Sequence, residues 1–548
     1  MAISMSPGER RRGFLAGTSD HKAVGLGYLW LALLSVFLGM ALSLLLRLTA
    51  LWTGVHVPVL SRLAGIPDQN GTLAVLHGSL MVFFVLTAAP QAGFGTYFLP
   101  LQIGAREMAF PGLNLPALWA TVASFVVVLS SFFFADPSVG LNLYLAGVAL
   151  FCLACLVNAI NLTVTVIDLR GEGMSLPRMP LTVWAWFVNA LLGMLIFSIL
   201  LASALLLLSD RYAGTQFFST LDFARSAIPA RASAPILWQR LFWFFAQAQV
   251  YVAILPCFGL VTHLLATFAR RAVWKERLVV LALCAVGLCG FAIWGQHMFL
   301  SGLNPYSPLV FARLASSLGV PSAVLIVSWM ATLRQARLQL TVSALFALGF
   351  VSLFLTGGLS GVLMARSELA RRAANATLVT AHFHLVMGIS ATFALLAALF
   401  FWFPKMFARP LNERLGKVHF WITFVGVYAV FLPMHWLGLL PARASASEAS
   451  GHTAMLTAAL LTIGGQLVFF ANLAWTLGRR ERLEERNPWR ATTLEWSLPS
   501  PPPAEGFGAT APAVYRGAYE FRALGASAPA RQEDFWPQHL APGDAASH

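Results

Sequence analysis

Charge is scarce in this chain. Only 11% of its 548 residues are Asp, Glu, Lys or Arg, while 58% are hydrophobic. An ordinary soluble domain carries about a quarter charged residues, so that class is excluded. Acidic residues are the scarcer sign, 22 against 36 basic, for a formal net charge of +14. The excess does not mark a nucleic-acid binder, because the basic residues sit in short gaps between long apolar runs. Cysteine is also rare. All five (Cys152, Cys155, Cys257, Cys284, Cys289) lie within apolar runs, which excludes a disulfide framework. Cys152 and Cys155 form a CxxC in mid-run and read as small packing residues. The N-terminus is polar and basic and the first apolar run is span-length, so no cleavable leader is expected. There is no internal repeat.

What is present in quantity is length of apolar run. Such runs read as an all-α, polytopic transmembrane bundle of about twelve helices. The expected spans are 24–48, 73–103, 115–135, 140–168, 181–209, 236–268, 277–299, 309–333, 340–366, 375–404, 418–440 and 453–478. Alternate gaps are basic: Arg170 and Arg178; Arg270, Arg271, Lys275 and Arg277; Arg334 and Arg337; Lys405, Arg409, Arg414 and Lys417; Arg479 and Arg480. The positive-inside rule puts those gaps and both termini in the cytoplasm. Residues 1–23 form a cytoplasmic N-terminal segment, 24–478 the membrane domain, and 479–548 a Pro-rich cytoplasmic tail. The tail is too poor in apolar residues for a core of its own, and its histidines, His539 and His548, are expected in solvent.

Within the tenth expected span stands Thr380-Ala381-His382-Phe383-His384. Two residues apart on a helix means roughly 200° of rotation, so the imidazoles serve opposite faces. Ionisable groups inside a membrane are costly and mark function. One helix could offer a nitrogen to a metal on each side, with Phe383 between; the alternative is a pair of histidines bonded to neighbouring helices. The topology puts His77, Gln247, His297, His382 and His384 in the outer half of the bilayer.

The stretch resembles subunit I of the haem-copper oxidases, cytochrome c oxidase type. Similar blocks are Ser19-Asp20-His21-Lys22, His77-Gly78-Ser79-Leu80-Met81, Trp238-Gln239-Arg240-Leu241-Phe242-Trp243, Leu415-Gly416-Lys417-Val418-His419-Phe420-Trp421 and Asn487-Pro488-Trp489-Arg490-Ala491-Thr492-Thr493-Leu494-Glu495-Trp496. The resemblance implies that His77 and His384 are axial ligands of a low-spin haem and that His382 binds a high-spin haem. Arg47 matches the arginine that bonds the formyl group of an A-type haem; its alternative is a snorkelling interfacial arginine. Arg443 matches one of two propionate-pairing arginines, with Ala442 at the other.

The departures cluster at the family's chemistry. Where the family has Gly-His-Pro-Glu-Val-Tyr, this chain has Ala246-Gln247-Ala248-Gln249-Val250-Tyr251, and Gln296-His297 replaces two adjacent histidines. His297 is thus the sole remaining copper-type ligand, and carboxamides suit copper poorly. Tyr251 is retained without the histidine to which the family cross-links it. Gln249 replaces the proton-gating glutamate and Leu325 the channel lysine. Ala374 and Asn375 replace the histidine and aspartate near the family's magnesium. At the inner entrance Glu107 stands for an aspartate, Asn114 persists, and Thr96 replaces an asparagine. His263, His419 and His435 read as structural or interfacial.

The expectation is a haem-binding membrane subunit of a respiratory-oxidase-like complex. It would pass electrons through the bis-histidine haem, with copper site and proton channels degenerate. It would carry one or two haems, A-type, and no copper. Expected partners are membrane lipid, subunit II- and III-like proteins and cytochrome c, with no nucleic acid, in a bacterial-type inner membrane. Two alternatives stand: an active terminal oxidase with an atypical site, and a non-redox platform for partner subunits.

Overall fold

The computed structural model describes residues 18–51, 69–134, 136–218, 236–296, 308–336, 338–364, 376–439, 445–479, 481–508, 511–521 and 536–541. Among them every regular element is helical. That is what an apolar solvent demands, since a helix pairs its own backbone groups internally.

The first span is α1 (His21–Leu51). The second starts as α2 (Gln69–Ser79), widens into a π-helix over Leu80–Gly95 and closes as α3 (Thr96–Ile103). Pro90 sits inside the wide part, where it removes one backbone donor. α3 stops at Gly104, whose left-handed φ of 76° caps it against Pro100 O. There follow α4 (Pro111–Ser131), α5 (Pro137–Asp168), α6 (Leu181–Tyr212), α7 (Ile236–Ala269), α8 (Glu276–Ala292), α9 (Pro308–Ser317) and α10 (Gly319–Leu333). Then come α11 (Val342–Met364), α12 (Ala376–Phe383), a π turn (His384–Gly388), α13 (Ile389–Phe407), α14 (Glu413–Leu439) and α15 (Ser445–Gly478).

Eleven of these stretches are long and apolar enough to cross a bilayer, with α9 and α10 joined as one from Val310. α8 occupies the remaining expected position with 17 residues, about 25 Å of helix at 1.5 Å per residue. Boundaries move where capping outweighs hydropathy. α4 begins at 111 instead of 115 because Pro111 opens its first turn. α14 begins at Glu413, five residues before the expected 418.

α7 is the hub, with its most apolar stretch wholly buried. A methyl group on Gly259 would lie 2.5 Å from Ala185 Cβ and 2.7 Å from Leu181 O. Only glycine allows α6 and α7 to pack this closely.

The segment after residue 478 departs from the expected solvent-borne tail. It builds no core of its own but shares that of the bundle: Leu494, Trp496, Val514, Tyr519 and Phe521 are buried. Lys405 Nζ donates to Leu498 O at 2.7 Å, and its ammonium sits 4.9 Å from the Trp496 ring centre. Trp489 Nε1 donates to Phe401 O at 2.8 Å. The helix ends leave carbonyls and cations that need partners, and the polar tail supplies them. His539, expected in solvent, is half-buried, and burial lowers its imidazole pKa; His548 lies outside the described residues.

Candidate functional site

Three histidines are held in the same manner. His77, near the end of α2, has Nδ1 2.9 Å from Gly39 O of α1. His384, opening the π turn, has Nδ1 2.8 Å from Thr380 O. His382, on α12, has Nδ1 3.1 Å from Gly357 O of α11 and 3.0 Å from Ser360 Oγ. A carbonyl can only accept, so each Nδ1 carries the proton, and in a neutral imidazole Nε2 is then a lone pair. Buried metal ligands are commonly oriented this way.

His382 and His384 turn to different neighbours. His382 faces α11, where a methyl on Gly361 would lie 2.8 Å from its Cε1. His384 stacks on Phe431 of α14, ring centres 5.0 Å apart and 19° between planes. Phe383 meets His384 edge-on at 5.8 Å. His384 lies within electrostatic reach of both His77 and Arg47. The helix changes pitch between the two histidines: Ile389 N–H reaches back to His384 O, the five-residue step of a π turn. Such turns recur at functional sites.

An apolar cleft of about 120 Å³ runs between α1, the second span, α13 and α15, lined by Leu29, Val36, Phe94, Leu395, Phe403 and Phe470. On α13 its lining begins at Thr392, eight residues beyond His384.

Gln247 is buried on α7, one helical turn before Tyr251. The Tyr251 ring fits because residue 290 is glycine, where a methyl would lie 2.4 Å from Tyr251 Cδ2. Gln296 ends the turn after α8; His297, Ala374, Asn375 and Arg443 lie outside the described residues. Leu325 is fully buried in the apolar core.

A ladder of neutral polar groups leads toward Gln249. Asn161 Nδ2 donates to Asn114 Oδ1 at 2.8 Å and Asn158 Nδ2 to Thr96 Oγ1 at 3.0 Å. Further along, Asn189 Nδ2 donates to Gln91 Oε1 at 3.0 Å and Gln249 Nε2 to Thr87 Oγ1 at 2.6 Å. Each of these groups is buried; Glu107, expected at the inner entrance, is exposed. Carboxamides donate and accept hydrogen bonds but do not titrate.

The sequence reading did not single out Ser360, and it read His435 as structural. His435 Nε2 is 3.2 Å from Ser360 Oγ, which places it one hydroxyl away from His382. The available signal was Gly357-Gly358-Leu359-Ser360-Gly361: small residues four apart mark a close helix crossing, and Ser360 lies inside it. His263 pairs with Tyr519 Oη at 3.2 Å and His419 with Gln466 at 2.9 Å, as structural histidines do.

The family model for Cytochrome C and Quinol oxidase polypeptide I matches residues 23–482. An alternative cytochrome c oxidase subunit 1 of Bradyrhizobium diazoefficiens is 36% identical, over 96% of this chain and 93% of its own. Cytochrome c oxidase subunit 1 of Synechocystis is 34% identical, covering 92% and 91%. That of Cereibacter sphaeroides is 32% identical, covering 91% and 95%. Among solved structures, a haem-copper terminal oxidase dimer aligns with a TM-score of 0.67 at 17% identity, covering 84% of this chain and 85% of that one.

Proposed function

The chain belongs to the cytochrome c and quinol oxidase polypeptide I family, and on that footing we propose a haem-bearing electron-transfer subunit whose copper site and proton channels are degenerate. It is an integral membrane protein of oxidoreductase lineage. The observation that carries the reading is the common setting of His77, His382 and His384, each with Nδ1–H on a carbonyl. This orientation fixes the tautomer that an axial ligand needs.

The residues fit haem. His77 and His384 would hold one iron between them, with Arg47 beside both, and His382 would hold another at its Nε2. The cleft beyond His384 is lined almost wholly by apolar side chains, as the isoprenoid tail of an A-type haem would need. When bound, the group supplies a one-electron couple. The chain's part is to fix the imidazoles, and Phe383 and Phe431 hold the His384 ring edge-on and by stacking.

The residues do not fit copper. Gln247 and Gln296 offer carboxamides where imidazole or thiolate is needed. With Gln249 bonded to Thr87 and Leu325 in an apolar core, the positions of the gating glutamate and the channel lysine carry no titratable group. Subunit II- and III-like partners, cytochrome c as donor, a bacterial inner membrane and cytoplasmic termini complete the reading.

Reduced-minus-oxidised spectra of the purified wild type and of His384→Ala test it. A low-spin haem band should be present in the first and lost in the second. A wild type devoid of haem bands would favour a non-redox platform. One observation favours the other reading, an active terminal oxidase: the relatives named as cytochrome c oxidase subunit 1 align over nearly the whole chain. Cyanide-sensitive oxygen uptake with reduced cytochrome c would establish it.

A further inference from the structure

Resting on the reading of His382 as an iron ligand, we infer that Ser360 and His435 form a hydrogen-bonded relay behind that ligand and set how strongly it donates to the metal. The three candidate ligands differ at Nδ1. His77 and His384 each bond a backbone carbonyl. His382 meets, besides Gly357 O, the Ser360 hydroxyl, and beyond that hydroxyl stands a second imidazole.

The proton positions follow from which atoms can only accept. Gly357 O fixes a proton on His382 Nδ1, and Phe431 O, 2.7 Å from His435 Nδ1, fixes one there. Neutral His435 therefore presents Nε2 as an acceptor, and the Ser360 hydroxyl 3.2 Å away is a donor for it. Ser360 has one proton and two acceptors, since Gly357 O lies 2.7 Å from the same oxygen. Turned toward His435, it completes a one-way chain: His382 N–H to Ser360 O–H to His435, and His435 N–H to Phe431 O. Bonds so aligned polarise one another. An acceptor strengthened in this way draws the Nδ1 proton of His382 and makes its Nε2 a stronger donor to iron. Turned toward Gly357 O, the hydroxyl leaves the chain open and the ligand weaker.

The relay also couples two sites. The Phe431 carbonyl accepts the hydrogen bond of His435 Nδ1–H while its ring stacks on His384, so one turn of α14 touches the surroundings of both imidazoles. Ser360 and His435 are positioning residues; neither would contact the iron.

The test is resonance Raman spectroscopy of the ferrous full-length protein with its haem. Ser360→Ala and His435→Phe, on different helices, should each lower the iron–histidine stretching frequency. Ser360→Thr, which keeps the hydroxyl, should retain it. The low-spin haem bands in the same samples report folding, and a variant that loses them leaves the other to decide. Wild-type frequency in both variants, with high-spin haem still bound, overturns the relay while His382 remains a ligand. A wild type with low-spin bands but no five-coordinate iron signal overturns His382 as ligand, and the relay with it.

Discussion

Two adjacent glycines of α11 separate packing at the His382 site from helix propensity. A methyl group on Gly357 would lie 2.7 Å from Val386 Cγ2, 2.9 Å from Val386 N and 3.0 Å from Leu385 Cβ. Val386 N is backbone and cannot rotate away, so Gly357→Ala must push α11 off the π turn. Overpacking of this kind costs about 1–3 kcal/mol. A methyl on Gly358 meets nothing within 4 Å. Each change also gains roughly 0.5–1 kcal/mol from replacing glycine in a helix, and that gain cancels between the two. Gly357→Ala should therefore be less stable than Gly358→Ala by about 1–3 kcal/mol. In a chain of this size that is a few degrees of apparent Tm. The assay is a thermal scan of both purified variants at one scan rate, because membrane proteins unfold irreversibly and only matched rates compare. The shift should also stretch the 3.1 Å bond from His382 to Gly357 O. Equal midpoints would refute the reasoning, since Gly357→Ala carries the clash and Gly358→Ala does not.

Two further outcomes bear on the tail. The Tyr519 hydroxyl accepts from Leu181 N at 3.0 Å; Tyr519→Phe leaves that buried N–H unpaired and should cost about 1–3 kcal/mol, read as a lowered midpoint. Burial raises the Glu495 carboxyl above the ordinary range. The folded state then keeps its proton at pH values where the unfolded chain has lost it. Stability from this group is therefore full below the unfolded pKa and falls as pH rises through the folded one. Glu495→Gln should flatten that decline in midpoints measured from acidic to neutral pH; an unchanged slope would contradict it.

Most of the architecture was legible in the apolar runs, because a membrane span must be long, apolar and helical, whatever its neighbours. The far end of α8 was not, as its helix stops at Ala292 while hydropathy runs on. The π-helical stretch over Leu80–Gly95 was also hidden, since it depends on how the chain packs around Pro90. The buried tail was missed for a related reason. Its few apolar residues cannot form a core alone, but Trp496 and Tyr519 complete one already present. At the site, His77, His382 and His384 were legible because imidazole in an apolar run is rare. Ser360 was not: a serine in a helix is common, and only the crossing of α11 with the His382 helix makes it matter.

The most direct measurement is the copper-to-haem-iron ratio of the isolated, purified chain. The account predicts iron with copper well below one equivalent per chain. One full copper per chain, bound beside the high-spin haem, would contradict it.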